Sequence, residues 1–393
     1  MKPLPHIYMD YAASTPIDPE VLAAMMPWLS HQHVGNASSV QNMHGQTAKR
    51  AIERAKAQIA AAIGADSPDE IILTSGATES NNLALGSLTA THCVTSATEH
   101  KAVLNPIHTF GHTISHSPLL PCGMADGKDI LSCVTDETQL ISIMAVNNET
   151  GVINPLSEIR SGLNAKGVDK KQIIIHCDAA QALGKIKLNV NEMGVDMMTL
   201  SGHKAYAPQG IGALYVRKSV QHLLRPLMQG GGQQNNIRSG TLPTALIVGL
   251  GHACMMADAG LTQENTRMNM YHNMLRAMLD QATIDYKING HDHGDDSKNW
   301  RVPHIINLRF AGIKSEWLLE AVQDISFSTG SACHANGTNT PSHVLKAMGL
   351  TDDEASESIR ISFGRFTTPN DIKQTAHSLI NAVALLDEMR HVA

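Results

Sequence analysis

Lys204 lies in Ser201-Gly-His-Lys-Ala-Tyr-Ala-Pro-Gln-Gly-Ile-Gly212, between the apolar runs Met197-Met-Thr-Leu200 and Ala213-Leu-Tyr-Val216. Both runs predict buried strands, so the lysine falls on a strand-end turn. An amine placed there faces a ligand, and an amine of this kind condenses with an aldehyde. Asp178, in His176-Cys-Asp-Ala-Ala-Gln181, follows another apolar run. Its carboxylate either caps the following helix or keeps a ring nitrogen protonated. Ser75-Gly-Ala-Thr-Glu-Ser-Asn-Asn82 follows a strand and opens a helical segment. Its small residues suit either an ordinary capped turn or backbone N–H groups presented to a phosphate. His100, in Thr98-Glu-His100, comes after a further strand end. It reads either as a structural histidine or as a ring that stacks on a ligand and moves protons. Amine, carboxylate and phosphate turn together are the parts needed to hold pyridoxal 5′-phosphate.

The six cysteines at 93, 122, 133, 177, 254 and 333 are scattered, which suggests neither a disulfide framework nor a zinc site. Five fall in or beside apolar runs and are expected to behave as small buried hydrophobes. Cys333 differs, standing in a Gly/Ser/Asn/Thr-rich stretch after Ser328-Thr-Gly-Ser-Ala332. Small residues there allow a loop to swing. His291-Asp-His293 lies in an Asp-rich polar segment and reads as solvated loop, so no metal is expected.

These residues need strands to place them. Short apolar runs at 70–74, 93–96, 139–145, 172–177, 197–200 and 213–216 alternate with helix-length segments. Runs apolar at every position imply an α/β fold with a mostly parallel sheet covered on both faces. In such sheets ligands gather beyond the carboxyl ends of the strands, where all the candidate residues fall. A helix is expected over 46–63 and a Met-rich one over about 245–279. A second unit follows, with strands at 305–308 and 359–362, helices near 316–321 and 343–348, and a closing helix over about 370–389. At 393 residues one large domain plus a smaller one is expected.

Composition excludes several classes. Hydrophobic content of 42%, 17% charged residues and a net charge of −6 describe a soluble globular chain with no electrostatic case for binding nucleic acid. The first ten residues lack the apolar run of a signal peptide, so a cytoplasmic location is expected. The most apolar window, Ala245–Ala257, is shorter than a span and reads as a core helix, so no membrane is expected.

Nine motifs resemble the cysteine desulfurases, the group containing the nitrogen-fixation and iron–sulfur-cluster enzymes. They are Asp10-Tyr-Ala-Ala-Ser-Thr-Pro16, Gly76-Ala-Thr-Glu-Ser80, Glu99-His-Lys-Ala-Val103, Val146-Asn-Asn-Glu149, Asp178-Ala-Ala-Gln181, Ser201-Gly-His-Lys204, Arg238-Ser-Gly-Thr-Leu-Pro243, Ser328-Thr-Gly-Ser-Ala-Cys333 and Gly364-Arg-Phe-Thr-Thr368. The resemblance runs in order from about residue 7 to about 385. It implies a fold-type-I, class V aminotransferase-like homodimer. Residues 15–255 would form the large cofactor-binding domain, and 1–14 with 256–393 the small α+β domain carrying the Cys333 loop.

By the same resemblance, Lys204 would hold the cofactor aldehyde, Asp178 its ring nitrogen, and His100 would stack as acid/base. Asn148 and Gln181 would contact ring substituents. Ala77, Thr78, Ser201 and His203 would hold the phosphate, joined by Thr241 of the other subunit. Asn36 and Arg360 would bind the carboxylate of L-cysteine, and Cys333 would receive its sulfur for transfer to an acceptor protein. The loop 334–342 is one residue longer than the family's common form and carries His334 where a small polar residue is usual. The short segment after the last helix implies that the acceptor docks around the Cys333 loop. A transaminase, a selenocysteine lyase or a binding protein without catalysis are the competing readings. Cys333 speaks against the first, and the intact Lys204, Asp178, His100 and Arg360 against the last.

Overall fold

The computed structural model describes residues 6–88, 91–167, 173–282, 284–291, 300–329, 331–333 and 339–392. The chain opens with β1 (Ile7–Tyr8), α1 (Pro19–Leu29) and α2 (Met43–Ala62). Then come β2 (Ile71–Thr74), α3 (Ala77–Leu85), β3 (His92–Ser96), α4 (Lys101–Thr109), β4 (Thr113–Ser117) and α5 (Gly127–Ser132). Next are β5 (Thr138–Ser142), α6 (Leu156–Ala165), β6 (Ile174–Asp178), β7 (Met197–Ser201), β8 (Gly212–Val216) and α7 (Thr244–Gln281).

Seven strands form one sheet in the order β2-β8-β7-β6-β5-β3-β4. Pairs among β3, β4, β5, β6 and β7 are parallel, while β8 runs antiparallel to both β2 and β7. Apart from the edge strand β4, its strands are buried on both faces with period two. Val94, Ile141, Ile175, Met198 and Ala213 join a core shared with α1, α2, α6 and α7. Their neighbours Cys93, Leu140, Ile174, Met197 and Leu214 join the opposite core, under α3 and α4. That two-sided burial is why the strands read as unbroken apolar runs.

The chain continues with β9 (Tyr286–Asn289), β10 (Ile305–Phe310), α8 (Ser315–Ala321), β11 (Ile325–Ser326), β12 (Ser328–Thr329) and β13 (Ser331–Cys333). It finishes with β14 (Asn339–Pro341), α9 (His343–Ala347), α10 (Asp352–Ser356), β15 (Ser358–Ser362) and α11 (Pro369–Val392). An antiparallel sheet, β12-β15-β10-β9, packs Ile306, Leu308, Ile359 and Ile361 against α11 and the second half of α7. β1 pairs with β11, and Asp10 bridges to Ser362.

Besides the two- and three-residue strands β1, β11, β12, β13 and β14, two longer strands escape the sequence reading. β4 and β9 are edge strands with mixed exposure, and neither carries an apolar run. The helix expected from 245 extends to 38 residues, so its length and composition would suffice to cross a membrane. Burial decides its role: Ile247, Leu250 and Ala253 lie in one core, Met268, Leu275 and Leu279 in the other. Cys93, Cys177 and Cys254 are buried as expected, but Cys122 and Cys133 are only half-buried. Cys122 sits in a turn before Gly123, and Cys133 ends α5, where the chain returns to solvent.

One close approach in this sheet demands glycine. A Cβ on Gly212 would lie 2.7 Å from Gly76 Cα and 2.7 Å from the Leu200 carbonyl oxygen. Both are backbone atoms, which cannot rotate away. Gly212→Ala is therefore expected to destabilise the protein by about 1–3 kcal/mol through overpacking. Thermal unfolding of the two proteins measures this, and equal melting temperatures would contradict the packing.

Candidate active site

The carboxyl ends of β2, β3, β5, β6 and β7 meet around a cavity of about 610 Å³. It is lined by Ala77, Thr78, His100, Asn148, Asp178, Gln181, Ser201, His203, Lys204 and Arg360, ten of the residues singled out above.

Lys204 closes the single 3₁₀ turn that follows β7. Its Nζ donates to the carbonyl oxygens of Ala12 and Ala13 at 2.5 and 2.7 Å. Burial lowers its pKa to about 8, assisted by Arg360 and opposed by Asp10 and Asp178. A dry amine with neighbouring cations is a much better nucleophile at neutral pH than a free lysine. The chain then turns through Tyr206, a non-glycine residue at φ 62°, a conformation sparsely populated away from turns and functional sites. Its hydroxyl accepts from Arg365 N at 2.7 Å, and Arg365 stacks 4.3 Å above its ring.

Asp178 ends β6 and is buried. One carboxylate oxygen accepts from Ala180 N at 2.9 Å, in a turn rather than at the head of the helix expected there. The other accepts from Asn81 Nδ2 at 2.7 Å. Asn81 was missed by the sequence reading, although the signal was available. It lies three residues after Thr78, so both side chains occupy one face of α3.

His100 caps α4, with its Nδ1 accepting from Ala102 N at 3.0 Å. The neutral ring therefore carries its proton on Nε2. Its enclosure in the cavity wall pushes its pKa below the ordinary imidazole value, against the pull of Asp178. His203 is held lower still, at about 4, by burial and then by Lys204 and Lys185. Glu99 is fully buried beneath this wall, where it accepts from Met144 N at 2.6 Å. Burial raises its pKa well above the carboxylate range, so it stands there as a neutral acid.

At the head of α3, Ala77 and Thr78 occupy the first turn, whose N–H groups have no partner within the helix. Ser201 Oγ, buried and facing the same cavity, has no hydrogen-bond partner among the described residues, nor has Asn148 Oδ1. Glu79, one residue on, forms a two-point ion pair with Arg238 at 2.8 and 3.2 Å. That pair fixes the turn leading to Thr241, which is exposed outside the cavity.

Arg360 projects from β15. Its guanidinium donates to Asn148 O at 2.8 Å, Asp10 Oδ1 at 2.7 Å and Ser328 Oγ at 2.9 Å, and Ser328 donates to Asp10 Oδ2 at 2.8 Å. Its Nε is buried without a partner among the described residues. Asp10 and Ser328 are further residues whose part in the site the sequence reading did not assign. Ser328 pairs with Arg360 in the strand register and lies five residues before Cys333. Cys333 itself pairs with Asn339 across a short hairpin. Residues 334–338, including His334 and the insertion in the loop, lie outside the described residues, as do 292–299 of the Asp-rich segment. Asn36 is not brought to the cavity. It is exposed between α1 and α2, and its Oδ1 accepts from Ser38 N at 2.9 Å.

Comparison with known proteins now bears on this geometry. The family model for aminotransferase class-V matches residues 7–375. A cysteine desulfurase of Mus musculus is 41% identical over 392 residues, covering 98% of this chain and 82% of that protein. The chain belongs to the cysteine desulfurase family. A solved NifS-like protein superposes with a TM-score of 0.85 at 29% identity, over 97% of this chain and all of its own. A structure described as SspA in complex with cysteine does so with a TM-score of 0.77 at 34% identity, over 92% of this chain and all of its own.

The cysteine desulfurase and class V aminotransferase families use pyridoxal 5′-phosphate. The cavity fits that group on its own chemistry. It offers one amine poised for an aldehyde, one dry carboxylate, free helix-terminal N–H groups and an unpartnered serine hydroxyl. If the reactivity of Lys204 arises from its lowered pKa, uptake of pyridoxal 5′-phosphate by the apoprotein should speed up as pH rises through about 8. Free lysine requires about 10.4. Stopped-flow absorbance across pH checks this, and a midpoint near the free-lysine value would refute it.

Proposed function

We propose that this protein is a pyridoxal-phosphate-dependent cysteine desulfurase. L-cysteine and the thiol of Cys333 give L-alanine and a persulfide on Cys333, which then passes its outer sulfur to an acceptor protein. The observation that carries the reading is the convergence of Lys204, Asp178, His100 and Arg360 on one cavity, with the Cys333 hairpin rooted beside Arg360. A related structure that holds cysteine supports the choice of substrate.

Pyridoxal 5′-phosphate, when bound, would supply the electron sink that acidifies the substrate α-carbon and weakens the bond between the β-carbon and sulfur. The chain does the rest. Lys204 holds the aldehyde and, once displaced, takes the α-proton on an amine with a pKa of about 8. Asp178, oriented by Asn81 and Ala180 N, would hold the ring nitrogen. Asn148 and Gln181 face ring substituents, while Ala77, Thr78, Ser201 and His203 take the phosphate. Arg360 receives the substrate carboxylate through donors that include its unpartnered Nε. The Cys333 thiolate attacks the substrate sulfur, the bond between that sulfur and the β-carbon breaks, the α-proton is returned, and a proton delivered to the β-carbon completes alanine. His100, with its mobile proton on Nε2, is suited to carry that proton.

The proposal extends to a homodimer. Leu22, Met26 and Leu29 of α1, Val34 and Val40 after it, and Met43 at the start of α2 are all exposed. Leu227 and Met228 are exposed too, and Ser239 N donates to Met228 O. A second copy covering this apolar surface would bring Thr241 to the partner's phosphate group. Light scattering should give twice 42.3 kDa. Full activity at the mass of one chain would rule the dimeric site out.

Cys333→Ser should still bind pyridoxal 5′-phosphate but release alanine from cysteine roughly a hundredfold more slowly or worse. Mass spectrometry of cysteine-treated protein should place the added sulfur on the peptide containing Cys333. Finding it on Cys122 or Cys133, the half-buried alternatives, would overturn the assignment.

A further inference from the structure

Lys185 is a buried lysine that none of the steps above uses; it is 7% exposed, on the segment after Gln181. Its backbone is pinned, with Lys185 N donating to Ala182 O at 2.9 Å and Asn265 Nδ2 of α7 donating to Lys185 O at 3.0 Å. Its Nζ donates to Gln181 Oε1 at 3.1 Å. On the other side of the same amide, Gln181 Nε2 donates to Ala12 O at 2.8 Å. Ala12 O is also the acceptor for Lys204 Nζ at 2.5 Å. The two lysines are thus joined through one glutamine and one carbonyl.

This chain of contacts decides which way the glutamine amide points. A protonated amine has three donors and no acceptor, so the atom facing Lys185 must be the oxygen. A carbonyl has only lone pairs, so the atom facing Ala12 must be the nitrogen. The NH₂ group spends one hydrogen on Ala12 O, which leaves the second for the cavity that Gln181 lines.

We propose that Lys185 is a positioning residue for the cofactor site, holding the Gln181 carbonyl so that the amide presents an N–H, never a C=O, to the cofactor. The inference rests on the pyridoxal-phosphate reading above. Whichever ring oxygen faces Gln181 then meets a donor, and a donor stabilises that oxygen in its ionised form. Without the lysine, the amide oxygen loses its donor and only the Ala12 carbonyl still opposes a turn that would set that oxygen against the ring, where two acceptors repel. Burial, together with Lys204 and Arg360, pulls the Lys185 pKa down to about 7, so the amine holds its third hydrogen below that pH and keeps two N–H donors above it. The charged and titratable groups around it are Lys204 after β7, Arg360 on β15, His304 before β10 and Arg267 on α7. All of them remain in the variants below.

The test is a double-mutant cycle read by absorbance. Lys185→Met, Gln181→Ala and the double variant are each loaded with pyridoxal 5′-phosphate, and the band of the lysine-bound cofactor is titrated with pH. Replacing a buried lysine by a shape-matched apolar side chain is tolerated in folding, and near-ultraviolet circular dichroism checks it. Lys185→Met should raise the titration midpoint by about one pH unit, because the ionised ring oxygen loses its donor. Gln181→Ala should raise it comparably, and the double variant no further than the larger single effect. A midpoint unmoved by Lys185→Met would overturn the inference. So would a Lys185→Met shift that persists in full when Gln181 is already alanine, since the lysine would then act by charge alone. Absence of the band from the unsubstituted protein would instead sink the functional reading, and this inference with it.

Discussion

The buried carboxylate of Asp178 constrains everything around it. An ionised group removed from water costs several kcal/mol unless donors replace the lost hydration. Here the donors are Ala180 N and Asn81 Nδ2, one from the turn after β6 and one from α3. Hydrogen bonds to a charged group are worth about 1.5–3 kcal/mol each, so α3 must keep its register against the sheet to supply the second donor. The same helix begins at Ala77, where free N–H groups face the cavity. Placing the carboxylate therefore also places the anion-binding helix end. Gly212 and Gly76 approach so closely that only glycine fits between β8 and the start of α3, which fixes the distance from that helix end to the turn carrying Lys204.

Electrostatics within the cavity follow from crowding cations into a dry space. After burial, Arg360 lowers the pKa of both Lys204 and Lys185, Lys204 lowers that of Lys185, and His203 is depressed by the two lysines. Such a site is short of anions, and a phosphate with a substrate carboxylate would supply them. The acidic partners present have other commitments. Asp10 is tied to Arg360 and Ser328, Asp178 to Asn81, and Glu99 is neutral beside Met144 N. The arrangement leaves Lys204 as an amine that loses its proton near neutral pH without any metal or external base.

Arg360 links the two sheets. Its β15 neighbours in the antiparallel sheet lead to β12 and the hairpin of Cys333, while its guanidinium reaches Asn148 O after β5 and Asp10 beside β1. Ser328 completes that knot from the strand register opposite Arg360. A group that binds Arg360 would thus act on the root of the segment bearing Cys333, which lies five residues after Ser328.

Much of this was legible in the amino-acid order because local chemistry dictates it. Apolar runs at every position required a sheet covered on both sides, and Lys204, Asp178, His100 and the Ser75–Asn82 turn all had to fall at its carboxyl ends. The edge strands β4 and β9 were not legible, since half-exposed strands carry no continuous apolar signal. Nor were the long-range hydrogen bonds. Asn81 meets Asp178 across 97 residues, Gln181 meets Ala12 across 169, and Asp10 meets Arg360 across 350. A polar side chain in isolation advertises only its capacity to donate or accept, and its partner is chosen when the sheet closes and two distant segments share one dry pocket. Residue types and spacing determined which atoms were available for chemistry. Tertiary packing alone decided which of them lost water together, and that loss sets their charges and aims their hydrogens.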